Sequence, residues 1–234
     1  MEKIIDNKKS KVIDALKEGI KKDSKISIIS AYFTIYGYDA LKENLQGVES
    51  LRFLFVEPTF TKEKEEKREF YINRQNREKQ LSGTEYEIKL RNELTQSKIA
   101  KECADWIRSK VEFKSLKKAD TSGARAIHVQ NKNNEEFVIQ GQMDFTSTGL
   151  GVTNSNRYEL NMYSDDQSAT KETLQWFDDI WTNSALVEDV KEEVIKNIET
   201  IYKENTPEFI YFVTLYNIFR EYLEEIQEDN IIKP

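Results

Sequence analysis

The sequence predicts an α/β fold, in which helices cover both faces of a mixed sheet. Two short apolar runs, 26–30 and 51–56, have the length and composition of buried strands. Val12, Leu16 and Ile20 recur at helical spacing before the first run and indicate an amphipathic helix. Strands that alternate with helices are typical of a sheet with helices packed on both sides. We therefore expect one large α/β domain.

The remaining elements continue this alternation. A helix is expected around 38–45, and a long helix from about 85 to 109 follows a charged stretch at 61–84. Turn residues then separate four more expected strands, near 111–115, 125–130, 136–140 and 158–163. From residue 168 onward the pattern indicates helices and no strand.

The distribution of charge divides the chain into two expected parts. Residues 183–234 contain 5 basic and 12 acidic residues, and this difference equals the whole net charge of −7. An aromatic stripe runs from Phe209 to Ile226 at three- and four-residue spacing. We expect an α/β domain over 1–182 and an acidic helical extension over 183–234, which docks on that domain, on a partner chain or on a following motor domain.

Composition excludes several classes of protein. Cys103 is the single cysteine, so an internal disulfide and a cysteine-rich metal site are excluded. The thiol falls on the apolar stripe of the long expected helix, which predicts a buried side chain. No apolar run approaches the roughly 20 residues that span a bilayer, and the N-terminus lacks a signal-peptide core. We expect a cytoplasmic protein without a membrane partner.

The single histidine, His128, begins the most informative motif of the chain. The stretch 128–150 reads HVQNKNNEEFVIQGQMDFTSTGL. It resembles the HxK, acidic residue and GSxN pattern of the phospholipase D superfamily, with Gly141 as the motif glycine. The segment 26–37 resembles the first core strand and turn of the same family. The chain as a whole is similar to the phospholipase D-like N-terminal module of bacterial superfamily-two helicases.

The resemblance implies a particular chemistry and a set of site residues. In that family one histidine attacks phosphorus, a second protonates the leaving group, and lysine and asparagine hold the phosphoryl oxygens. No metal or other cofactor is expected. The candidate catalytic positions are His128, Lys132, Glu135, Gln142 and Asp144, with Glu136 as the alternative acid.

Several motif positions depart from the family pattern. Gln130 stands where the motif has lysine, and Lys132 is displaced by two residues and falls in an asparagine-rich turn. Gln142 and Asp144 stand where the motif has serine and asparagine, so a carboxylate faces the expected phosphate position. Loss of one positioned donor costs about a hundred- to a thousandfold in rate. We therefore expect a degenerate site.

A locally basic segment leads to His128. Residues 108–132 contain seven Lys and Arg against two acidic residues. Phosphate contacts by such residues dominate affinity for nucleic acids, although a solvated lysine-rich loop has the same composition. The candidate nucleic-acid-binding residues are Lys114, Lys117, Lys118 and Arg125.

Three functional hypotheses follow from these observations. The first is a module that binds or positions DNA in a helicase or restriction-type system without cutting it. The second is an active, metal-independent phosphodiesterase or nuclease, built as a homodimer because one motif supplies half of a two-histidine site. The third is a dimerisation or docking domain without a nucleic-acid role. No GxxxxGK[ST] loop occurs, so a helicase or ATPase partner would supply any nucleotide hydrolysis.

Overall fold

The computed structural model describes residues 2–58, 85–118, 123–153 and 159–203, with backbone alone for 85–94. The charged stretch 61–84 and the aromatic stripe 209–226 lie outside the described residues. The helices are α1 (Val12–Gly19), α2 (Ile35–Leu45), α3 (Glu85–Lys110), α4 (Gln167–Trp181) and α5 (Lys191–Lys203). The strands are β1 (Glu2–Ile5), β2 (Lys25–Ser30), β3 (Ser50–Phe55), β4 (Val111–Leu116), β5 (Ala126–Gln130), β6 (Glu136–Gln140), β7 (Asn161–Ser164) and β8 (Val187–Asp189).

The described strands form one mixed sheet in the order β1-β7-β6-β5-β2-β3-β4-β8. β2, β3 and β4 are parallel neighbours, and all other neighbouring pairs are antiparallel. The predicted fold class, a mixed sheet flanked by helices, is confirmed. β6 points in the same direction as β2, since β5 lies antiparallel between them. The strands β2, β3, β4 and β6 all end at the same end of the sheet. We call this end the carboxyl edge.

Helices cover the two faces of the sheet unequally. The main apolar core joins one face of the sheet to α1, α2, α3 and α5. Cys103 lies in this core with no exposed surface, as its place on the helical stripe predicts, and burial raises the pKa of its thiol. α4 covers the other face through a smaller cluster of Ile29, Ala31, Leu54, Val56, Phe177, Trp181 and Val187.

Local signals explain where two of the helices begin. The Thr34 side chain caps α2 by accepting a hydrogen bond from the Gly37 backbone. The Asp166 side chain caps α4 by accepting from Ser168 and Ala169. The Asp166 cap fixes the point where the chain leaves β7 and starts across the sheet.

The sequence predicts helices and no strand after residue 168. This prediction is wrong, because Val187–Asp189 form the strand β8. This strand pairs with β4 in the register Lys114–Asp189 to Leu116–Val187. Three residues are too short to show an alternating pattern, and the open side of β4 provides the pairing. α5 then packs on α3, and Val194, Ile195 and Ile198 join the main core.

Candidate functional site

His128 lies in the interior of β5, under α4, and is 2% exposed. Ser27 on β2 and Val138 on β6 are its cross-strand partners. Its Nε2 atom is 3.5 Å from Oε2 of Glu136 on β6. The other carboxylate oxygen of Glu136 accepts a hydrogen bond of 2.7 Å from Nε2 of Gln130. The structure thus brings His128, Gln130 and Glu136 together.

Burial controls the protonation of His128. Removal from solvent lowers the pKa of His128 below its usual value, and the nearby Glu136 carboxylate opposes this effect. Arg52 adds to the lowering and Asp178 opposes it. Among the described residues, His128 Nε2 and Glu136 Oε2 are both buried without a hydrogen-bond partner. The lowered pKa favours the neutral imidazole near pH 7, and the group that its Nε2 atom faces is the Glu136 carboxylate.

An arginine network lies beside this pair. Arg52 on β3 donates to Asp178 on α4 at 2.7 Å and to Ser27 on β2 at 2.9 Å. Its guanidinium carbon lies 4.8 Å from the Phe177 ring centroid. These contacts fasten α4 to the sheet directly over the His128 region.

A groove of about 790 Å³ is lined in part by Glu136. Its charged lining residues are Glu18, Lys21, Glu135, Glu136, Asp165 and Lys171. Four acidic groups against two basic ones disfavour a phosphate ligand, because like charges repel at short range. The groove is therefore a poor candidate for the phosphodiester site.

The glycine motif forms the loop that follows β6 at the carboxyl edge. A Cβ atom at Gly141 would lie 2.3 Å from Oδ1 of Asn161 and 2.5 Å from the Leu160 carbonyl oxygen, so only glycine fits. Oδ1 of Asn161 accepts hydrogen bonds from the backbone of Gln142 and Met143. The loop is thus fixed against the start of β7.

Asp144 anchors the same loop to β2. One carboxylate oxygen accepts from the Ser30 hydroxyl at 2.9 Å, the Ala31 backbone at 3.0 Å and Nε of Arg125 at 2.7 Å. The Ser30 hydroxyl also accepts from the Phe145 backbone. Through these three donors, Asp144 links the motif loop to the end of β2 and the start of β5. The positive charge of Arg125 balances the charge of the Asp144 carboxylate.

The other candidate catalytic residues lie apart from His128. Lys132 is 68% exposed on its side chain and donates to Asp23 at 2.7 Å, at the opposite end of the sheet from the carboxyl edge. This ion pair raises the pKa of Lys132 and lowers the pKa of Asp23. Glu135 is exposed in the β5–β6 turn, and Gln142 is exposed in the motif loop.

The candidate nucleic-acid-binding residues divide into two kinds. Lys114 is tied to α4, because its ammonium donates to the Trp181 carbonyl oxygen and lies 4.7 Å from the Trp181 ring centroid. Lys117 and Lys118 are exposed where β4 ends, and Lys117 donates to the Ser184 carbonyl oxygen. Arg125 enters β5 at the same edge. Three of the four predicted residues thus share the carboxyl edge.

Sequence reasoning missed Ser30, Arg52 and Asp178 as members of these networks. The only signal in the sequence was an arginine inside an otherwise apolar strand, because a charge at such a position needs a partner. Within the described ranges, no group of three His, Cys, Asp or Glu residues could hold a metal ion. In the same part of the chain, no helix combines the length and apolarity needed to cross a membrane.

No protein-family model and no curated protein matches the chain. Among solved structures, phosphatidylserine synthase from Haemophilus influenzae Rd KW20 is similar at 11% identity and a TM-score of 0.45, over 87% of this chain and 43% of that one. NucT from Helicobacter pylori is similar at 12% identity and a TM-score of 0.41, over 76% and 94%. TrmBL2, an archaeal chromatin protein, is similar at 15% identity and a TM-score of 0.37, over 77% and 52%. The chain thus spans less than half of the synthase, and likenesses this distant assign it no activity.

Proposed function

We propose that this chain is a phospholipase D-like module that binds or positions nucleic acid, DNA in particular, without cleaving it, within a helicase or restriction-type system. The enclosure of His128 under α4 is the observation that carries the proposal. A nucleophile must approach phosphorus closely, and a side chain that is 2% exposed and aimed at Glu136 has no such approach. The motif resemblance supports the family, and the burial supports the loss of cleavage.

The substituted motif positions support the same conclusion. Gln130 donates to Glu136, where the family pattern has a phosphate-binding lysine. Asp144 binds Arg125, Ser30 and Ala31, where the pattern has asparagine. Each of these side chains has an internal partner and a structural role. The motif thus retains its packing function and lacks its phosphate cradle.

The carboxyl edge supports nucleic-acid binding. Ligands of open α/β sheets bind outside the carboxyl ends of the strands, and Lys117, Lys118 and Arg125 lie at that edge. The Arg125 charge is largely balanced by Asp144, so Lys117 and Lys118 carry most of the expected attraction. Local charge governs the approach of a phosphate even where the net charge of the protein is negative.

A salt titration of DNA binding tests the proposal. In fluorescence anisotropy, Lys117→Ala with Lys118→Ala should weaken binding and reduce the slope of log affinity against log salt by about one for each phosphate that is no longer bound. Lys21→Ala with Lys132→Ala is the matched control, because it removes the same charge at the opposite end of the sheet. Equal effects of the two pairs would contradict the proposed surface. Absence of binding by the wild type at low salt would leave the docking-domain hypothesis in its place.

A homodimeric, metal-independent phosphodiesterase is the second candidate. The proximity of His128 to Glu136 favours it, since a carboxylate that orients a histidine is common in acid–base catalysis. We expect no cleavage of single- or double-stranded DNA in EDTA by the wild type. We also expect none by the combined variant Gln130→Lys, Gln142→Ser and Asp144→Asn. Cleavage that His128→Ala abolishes would establish the second candidate instead.

The proposed assembly is a symmetric homodimer. One motif per chain is half of the family's two-histidine arrangement, and an isologous pair is the commonest assembly of soluble chains. Light scattering should give twice the chain mass of 27.5 kDa at micromolar concentration. A mass of one chain would contradict this assembly and would leave the DNA titration unaffected.

A further inference from the structure

Two large aromatic side chains are strongly exposed among the residues that the structure describes. Tyr32 is 50% exposed and Trp176 is 43% exposed. The other tryptophans, Trp106 and Trp181, are each 6% exposed. Large aromatic rings are usually buried, because each can remove about 150–250 Å² from water. Two such rings left in solvent therefore need an explanation.

Tyr32 is held in place by its backbone while its ring remains in solvent. The Ser30 hydroxyl, whose proton goes to Asp144, accepts a hydrogen bond from the Tyr32 backbone N–H at 3.3 Å. The preceding residue, Ala31, is buried in the small cluster under α4 and is bonded to Asp144. The ring is thus presented from a fixed point on the carboxyl edge.

Helical spacing places Trp176 on the flank of α4 that also carries Ile180, opposite to Asp178. Asp178, two residues later and so on the opposite flank, reaches down to Arg52, which is in register with Ser27 in the middle of β2. Ile180, one turn after Trp176 on the same flank, packs on the cluster that contains Ala31. Phe177, the neighbour of Trp176, belongs to that cluster too.

Positive charge lies along the rim of this cluster. Leu116 packs against the cluster, and it is followed by Lys117 and Lys118. Tyr32 and Trp176 therefore border one small core whose rim also carries two exposed ammonium groups. A row of cations beside exposed rings is the arrangement that binds single-stranded nucleic acids, because unpaired bases stack on the rings while phosphates meet the cations.

We propose that Tyr32 and Trp176 are a stacking platform for the bases of a single-stranded nucleic acid at the carboxyl edge. The inference rests on the proposed nucleic-acid binding and names its substrate class. Bases of a duplex are already stacked on each other, so the two rings add affinity for single strands only. The platform also explains how a chain with net charge −7 gains affinity beyond phosphate contacts.

Binding of oligothymidine about 16 nucleotides long and of a duplex of equal length tests the platform. Tyr32→Ala and Trp176→Ala should each weaken single-strand binding about tenfold, since stacking contributes about a factor of 5–150 per base. Duplex binding should change less than about twofold on the same grounds. Tyr32→Phe and Trp176→Phe should retain single-strand binding.

Leu186→Ala is the matched control, because Leu186 is 48% exposed beside the same cluster but has no ring. Single strands should quench tryptophan fluorescence, and Trp176→Phe should remove most of the quenching, since the other two tryptophans are buried. Unchanged single-strand binding by the alanine variants, or an equal loss in Leu186→Ala, overturns the platform alone. A wild type that binds neither probe overturns the proposed function together with it.

Discussion

The two faces of the sheet are built from different kinds of contact. One face carries Ile28, Phe53 and Ile127 in adjacent positions and meets four helices in a continuous apolar core. The other face carries Ser27, Arg52 and His128 in the next row, and among the described helices it meets α4. The row of Ser27, Arg52 and His128 is thus polar, whereas the adjacent row of the same three strands, on the opposite face, is purely apolar.

The two faces therefore contribute differently to the stability of the fold and to the position of α4. Apolar contacts are non-directional and grow with buried area, so the four-helix face supplies most of the folding free energy. The α4 face depends on directional contacts, in which Arg52 bonds Asp178 and Lys114 bonds the Trp181 carbonyl oxygen. These contacts fix the position of α4, and they place Trp176 and cover His128.

The largest effect on stability is expected from Phe53→Ala on the apolar face. The Phe53 ring has no exposed surface and meets the rings of Phe33, Phe55, Phe113 and Phe145. Its truncation should lower the free energy of unfolding by about 3–5 kcal/mol, because it removes buried apolar surface and leaves a cavity. Urea denaturation measures this change. A decrease below about 1 kcal/mol would contradict the unequal roles of the two faces.

A smaller decrease is expected from Arg52→Met on the α4 face. The substitution keeps an unbranched side chain and removes the Asp178 ion pair, the Ser27 hydrogen bond and the contact with the Phe177 ring. Because the Arg52 side chain is 28% exposed, we expect the free energy of unfolding to fall by about 2 kcal/mol. A double-mutant cycle with Asp178→Asn isolates the ion pair. A coupling energy indistinguishable from zero would show that α4 is held by its apolar residues alone.

The smallest effect is a pH dependence from His128. Its pKa in the folded protein is lowered below the usual 6.5, so the folded protein binds a proton there less readily than the unfolded chain does. The stability contribution is complete above pH 6.5 and is lost as the pH falls from there toward the lowered pKa. Melting temperatures measured between about pH 8 and pH 5 should fall more steeply for the wild type than for His128→Gln.

The comparison of the wild type with His128→Gln removes the contribution of the other titrating groups to the pH dependence. The groups that face His128 are Glu136 on β6, Arg52 on β3 and Asp178 on α4, and all of them remain in the variant. Parallel curves would therefore mean that His128 titrates as it does in the unfolded chain. Such a result would contradict the enclosed position on which the loss of cleavage depends.

The apolar face was predictable from the sequence and the polar face was not. Strands such as 51–56 and the stripe around Cys103 are visible in composition and period, because burial selects for residue type. Arg52 bonds Asp178, which is 126 residues away in sequence, and Asp144 bonds Ser30, which is 114 residues away. Directional pairs of this kind depend on register, which a single sequence does not encode by spacing.

In the candidate site, too, some features were predictable from the sequence and others were not. The position of the motif glycine, the asparagine turn and the exposure of Lys132 follow from local residue types. The enclosure of His128 does not, since it depends on α4, whose cap at Asp166 lies 38 residues after His128 in the chain. β8 was missed because three residues carry no period, and the open edge of β4 decides their conformation.

The tie made by Asp144 also restricts which sequences the chain can reach by single substitutions. An asparagine at 144 would leave the Arg125 charge without its counterion, and loss of Arg125 alone would leave the half-buried Asp144 carboxylate without a cation beside Ser30 and Ala31. Either first step therefore passes through a less stable protein. The first substitution that would turn this loop into a phosphate-binding loop therefore carries the largest loss of stability. We expect this loss to preserve the present loop in sequences that descend from this one.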